Sequence, residues 1–184
     1  MFALSFYMCA LDTEAKRNKL EVIYTTYLDT MSKAAHKYVG MYQMDEDIVH
    51  EAIMKLIDNL DKIDLDNELS TGCYVRIVTE CCAKDWLRRE KHYQTDNLDD
   101  YDYMVDTGEP LPLDLVVSDE AYAYLVNCIR SLKDTYRSAC ELKYVVELKE
   151  REIADVLGIS EKNVSVRIYR GRMILKKMLE EMKK

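Results

Sequence analysis

The chain has 184 residues, 26 Lys and Arg against 34 Asp and Glu, and a formal net charge of −8. That length admits one domain or two small ones with a real core. Five glycines and two prolines are few, β-type alternation is nowhere sustained, and the chain reads as all-α.

Residues 1–11 are apolar, with no basic leader, and Asp12 and Glu14 follow at once. The run is too short to cross a bilayer and is a poor secretory signal. A frayed or docked extension is expected, with Met8 as an alternative start, and the protein is expected in the cytoplasm. Residues 12–93 form a first helical domain. Leu20, Ile23, Tyr24, Tyr27, Met31, Ala34, Ala35, Tyr38 and Val39 recur at helical spacing, and Gly40 is placed to stop that helix. A second helix opens on Asp45, Glu46 and Asp47, acids at the positive end of a helix dipole. Ile48, Ala52, Ile53, Leu56, Ile57 and Leu60 give it an apolar face. Residues 61–72 read as a loop. A third helix over 74–91 ends in the basic group Arg88, Arg89, Lys91 and His92.

Residues 94–118 carry both prolines and read as an acidic, flexible, self-repelling linker. Residues 94–120 hold nine acids and no Lys or Arg; setting them aside leaves 26 basic against 25 acidic side chains. Residues 161–184 have eight basic and three acidic side chains. The charge is segregated, with the basic part at the C-terminal end. Residues 119–184 show four helical patterns, 120–132, 134–145, 150–157 and 161–182.

The third and fourth of these patterns form a helix-turn-helix. Ile153, Val156 and Leu157 give one apolar face, and Ala154 is small where two helices approach. Gly158 can end the first helix in the left-handed conformation. Ser160 can cap the next one. Val164, Ile168 and Leu175 then point inward, which leaves Lys162, Ser165, Val166, Tyr169 and Arg170 on the groove side.

Six cysteines, Cys9, Cys73, Cys81, Cys82, Cys128 and Cys140, have no CxxC and no zinc-like spacing with His36, His50 or His92. Buried reduced thiols are expected and no metal. There is no glycine-rich phosphate loop and no plausible triad, so neither an enzyme nor a cofactor is expected. Taken alone, Asp47 and Glu51 could be dipole stabilisers, Arg88 and Arg89 a solvated helix end, and Tyr74 and Trp86 core aromatics; core is favoured for Trp86.

Three motifs together resemble the extracytoplasmic-function group of bacterial sigma factors in the sigma-70 family, over about residues 20–182. Asp45-Glu46-Asp47-Ile48-Val49-His50-Glu51-Ala52 looks like the family's acidic helix start, which grips the clamp helices of the polymerase largest subunit. Tyr74-Val75-Arg76-Ile77 followed by Asp85-Trp86-Leu87-Arg88-Arg89 looks like its minus-10 helix. The terminal helix-turn-helix looks like the minus-35 reader. The resemblance implies a region 2-like bundle and a region 4-like domain, with core RNA polymerase, double-stranded promoter DNA and the melted minus-10 strand as partners, an anti-sigma factor as a further one, and no membrane. It puts Asp47, Ile48, His50, Glu51 and Lys55 against polymerase. It puts Tyr74, Arg76, Cys81, Arg88 and Arg89 at the minus-10 element, and Ser160, Lys162, Ser165, Val166, Arg167, Tyr169, Arg170 and Arg172 at minus-35. Cys81 stands where the family commonly has asparagine, and a thiol does not replace an amide's paired donor and acceptor. The alternatives are a helix-turn-helix regulator that does not dock on polymerase, and a thiol sensor using Cys81 and Cys82; vicinal cysteines on a helix make a poor disulfide.

Overall fold

The computed structural model describes residues 7–9, 11–91 and 119–181, and every described element is helical. The chain divides into two compact units, Met1–Leu98 and Asp99–Lys184. The expected linker, 94–118, lies outside the described residues.

The first unit is built on α1 (Glu14–Val39), α2 (Asp45–Asp58) and α3 (Glu68–Lys91). Thr13 caps α1 by accepting from the Lys16 N–H at 3.3 Å. Leu20, Ile23, Met31, Ala34, Ala35 and Val39 are its buried stripe. The expected Tyr24, Tyr27 and Tyr38 are only half-buried. The helix ends before Gly40, yet Gly40 stays right-handed at φ −56° and leads into a 3-10 turn, Gly40–Tyr42. Its lack of a side chain serves another purpose: a Cβ there would sit 2.5 Å from the His36 ring. The left-handed residue is Gln43, at φ 54°.

Ile48, Val49, Ala52, Ile53 and Leu56 bury the inner face of α2. Leu60 continues it from a second 3-10 turn, Leu60–Lys62. Each fully buried Leu or Ile contributes about 1.5–3 kcal/mol. The third helix begins earlier than periodicity predicts. Asn67 caps it, its Oδ1 accepting from Ser70 N–H at 3.0 Å and its carbonyl from Thr71 N–H at 2.9 Å. Thr71 Oγ1 donates back to the Asp64 carbonyl at 2.6 Å and pins the entering loop. Gly72, expected in a loop, lies inside α3, where a Cβ would stand 3.2 Å from the Tyr27 ring.

The second unit holds α4 (Asp119–Ser131), α5 (Asp134–Tyr144), α6 (Glu150–Leu157) and α7 (Glu161–Glu181). Leu125, Ile129, Leu132, Cys140, Leu142 and Ile153 meet Val164, Ile168 and Leu175 of α7 in its core. Gly158 takes φ 64° and its N–H closes on the Ala154 carbonyl, as the turn chemistry predicts. Ser160 Oγ accepts from Asn163 N–H at 3.3 Å and starts α7. α7 lies close on α5 because Gly171 offers no side chain: a Cβ there would be 2.4 Å from Cys140 Sγ.

Candidate functional site

The expected polymerase and promoter residues of the first unit are interlaced on α2 and α3. On α2, Asp47 and His50 are exposed, four and one residues N-terminal to Glu51. Glu51 Oε1 lies 3.5 Å from Lys55 Nζ, and its Oε2 accepts from Arg89 Nη2 at 3.0 Å. Lys55 Nζ is 3.7 Å from Asp85, which also accepts from Arg88 at 2.7 Å. Burial acts to lower the Lys55 pKa, but Cys82, Asp85 and Glu51 outweigh it and the net shift is upward. Lys55 is therefore cationic at neutral pH. Asp85 is the link between the two groups, and its i,i+3 spacing to Arg88 is the sequence signal for it.

Two expected contacts change role. Ile48 is 1 % exposed and belongs to the core, so it holds α2 in place instead of meeting a partner. Tyr74 is 3 % exposed, so its ring packs inside the bundle and is not offered to an unpaired base. Arg76 is half-buried and ion-paired at 3.1 Å with Glu80, itself 6 % exposed on its side chain, while Lys37 stands 3.8 Å from the same oxygen. That i,i+4 pair satisfies a buried acid and was missed in the sequence. Cys81 is half-buried, and burial pushes its thiol up to about 12, so it is neutral at physiological pH. Trp86, expected in the core, is half-buried and lies against Tyr42, with ring centroids 5.3 Å apart.

In the second unit, Val164 (0 % exposed) and Ile168 (2 %) fix the rotation of α7. Lys162 is exposed, and Val166, Arg167, Tyr169, Arg170 and Arg172 are half-buried. Arg172 sits 5.7 Å from the Tyr169 ring centroid, a cation–π geometry that positions both. Ser165 turns out to tie the motif together: its hydroxyl donates to the Glu150 carboxylate and also stands 3.1 Å from the Glu161 carbonyl. The Ser160 hydroxyl is occupied in the cap.

A helix-turn-helix with a basic second helix, accompanied by a separate helical unit, is the architecture of a DNA-binding protein. The family pattern for sigma-70 region 2 matches residues 23–93, and that for sigma-70 region 4 matches residues 122–175. The chain is 34 % identical over 164 residues to the ECF RNA polymerase sigma factor SigW of Bacillus subtilis (strain 168), covering 85 % of this chain and 86 % of that one. It is 22 % identical over 161 residues to the RNA polymerase sigma factor YlaC of the same organism, covering 88 % and 92 %. The chain belongs to the extracytoplasmic-function group of the sigma-70 family. It is a sigma factor that directs promoter-specific transcription, with core RNA polymerase and promoter DNA as its partners. Among the described residues no helix is long and apolar enough to cross a membrane.

Proposed function

We propose that α2 is the polymerase-docking helix, the C-terminal half of α3 the minus-10 element reader, and α7 the minus-35 reader. Asp47, His50, Glu51 and Lys55 form the docking face. Arg88 and Arg89 bring positive charge to promoter phosphates beside the melted minus-10 strand. Arg76 and the neutral thiol of Cys81 position α3. On α7, Lys162, Val166, Tyr169 and Arg170 face the groove, and Arg167 and Arg172 its phosphate walls, with Ser160 and Ser165 holding the two helices in register.

The observation that carries this reading is the placement of α7. Its apolar seam of Val164, Ile168 and Leu175 is buried, Lys162 is exposed on the far side, and Arg167, Arg170 and Arg172 are half-buried beside it, behind a Gly158 turn. Support for α2 comes from the exposed Asp47 and His50 in the matched region 2.

The sequence from 94 to 118 joins two readers that must reach elements about two DNA turns, roughly 70 Å, apart. Its 25 residues span at most about 90 Å when extended but average only about 30 Å as a relaxed coil. An anti-sigma factor would act by covering one of these faces, and the protein performs no catalytic chemistry of its own.

The docking assignment is tested with Asp47→Lys. Glu51→Lys is a poorer probe, because it would set a third cation beside Lys55 and Arg89 and disturb the fold. Asp47→Lys should lose co-elution with core polymerase while its helical circular dichroism stays unchanged. A variant that still co-elutes overturns the assignment of α2.

A further inference from the structure

The segment ahead of α1 packs on α2 at one of the docking residues. Tyr7 is 4 % exposed, and its hydroxyl lies 2.6 Å from His50 Nδ1. The two rings are 5.3 Å apart between centroids, and the Tyr7 ring is 6.3 Å from that of Tyr24 on α1. The segment is held at its far end as well. Leu11 is 5 % exposed, its N–H donates to the Met8 carbonyl at 3.2 Å, and its own carbonyl accepts from Arg17 Nε and Nη2 at 3.1 and 2.9 Å. Tyr7 is therefore fixed, while the His50 side chain it touches remains exposed.

The chemistry of this pair has a direction. A phenol is the stronger donor and a neutral imidazole nitrogen the stronger acceptor. Burial, aided by Tyr24, raises the Tyr7 pKa, so the phenol keeps its proton. With Nδ1 accepting from Tyr7, the single imidazole proton resides on Nε2. We propose that Tyr7 is a positioning residue of the polymerase-docking face: it holds the His50 ring with Nδ1 inward and presents Nε2–H as a fixed donor to an oxygen acceptor on polymerase. This rests on the reading of α2 as the docking helix. It gives Tyr7 a role in docking that acts through His50. A glutamine at position 50 would offer a donor from its own amide and would have no need of Tyr7.

The test uses the full chain, core polymerase and four proteins: wild type, Y7F, H50Q and the double variant. Long-range nitrogen–proton NMR on the free chain reads the His50 tautomer. The wild type should show the proton on Nε2, and Y7F should show a mixed or mobile ring. Titration of polymerase by fluorescence anisotropy should show Y7F three- to ten-fold weaker than wild type, about the effect of one hydrogen bond. H50Q supplies a background in which the tyrosine–imidazole contact is absent, and Y7F should cause no further weakening there. Equal weakening by Y7F in both backgrounds would make Tyr7 a fold-stabilising residue only and overturn the proposal. So would an unchanged tautomer, or unchanged affinity, in Y7F. Failure of the underlying docking reading looks different: Asp47→Lys and His50→Ala would then both bind polymerase like wild type.

Discussion

Gly171→Ala should displace α7, even though alanine is the better helix former. The Cβ would lie 2.4 Å from Cys140 Sγ, with Leu132 Cδ1 and the Tyr136 Cβ at 3.6 Å closing the other sides. Cys140 is 0 % exposed and cannot swing into solvent. An unstrained carbon–sulfur contact needs more than a further 1 Å, so α7 or α5 must move. Overpacking of this kind costs about 1–3 kcal/mol, against a propensity gain of about 0.8–1 kcal/mol for Gly→Ala in a helix. The net is a loss of up to about 2 kcal/mol. Cys140→Ala removes the obstructing sulfur, and by itself costs on the order of 1 kcal/mol in lost burial. In that background Gly171→Ala should become stabilising by up to about 1 kcal/mol, giving a coupling energy of about 1–3 kcal/mol. Hydrogen exchange of the α7 amides reports the stability of this unit directly. Promoter binding by polymerase carrying each variant reports whether the recognition face has shifted. Additive effects in the two backgrounds would refute the close packing of α5 on α7 and the argument from it.

Arg170→Ala should cost roughly 1–3 kcal/mol on the preferred minus-35 element and relax sequence preference, as a base contact does. Arg172→Ala should lower affinity for all duplexes alike and reduce the salt slope by about one unit; anisotropy on matched and scrambled duplexes at several salt concentrations separates the two. The second unit should lose stability in alkali. Burial pushes the Cys140 thiol from 9.0 to about 12, so above pH 9 the unfolded chain releases a proton that the folded chain keeps. Stability then falls by up to about 1.4 kcal/mol per pH unit between pH 9 and 12. Hydrogen exchange across that range should show a flatter decline in Cys140→Ala than in wild type; parallel declines would place the thiol in contact with water.

The helix-turn-helix was legible because its determinants are local. Gly158, Ser160 and the spacing of Val164, Ile168 and Leu175 each specify their own neighbourhood, and the structure repeats them. The start of α3 was not legible from periodicity, since its first turn is secured by Asn67 and by Thr71 reaching back to Asp64. Gly40 and Gly72 read as breakers, yet one accommodates the His36 ring and the other the Tyr27 ring. A close approach to a ring, whether one helical turn away as at Gly40 or on another helix as at Gly72, leaves the same letter as a turn. Motif position puts Ile48 and Tyr74 at surfaces, yet both are buried, because a motif says which helix a residue lies on but not which way it faces. Tyr7 was hidden for a similar reason: an apolar run at a terminus gives no hint of the hydroxyl's partner 43 positions away. The cluster of Glu51, Lys55, Asp85, Arg88 and Arg89 could not be seen as one, because it exists only once α2 and α3 pack side by side.

Run-off transcription with purified core polymerase on genomic fragments tests the central claim most directly. The wild-type chain should produce discrete transcripts from a small set of fragments, each preceded by minus-10 and minus-35 elements about two helical turns apart. Asp47→Lys should produce none of them, and Arg170→Ala should weaken them or shift them among fragments. Transcripts that are the same with and without the chain, or unaffected by both variants, would contradict the account.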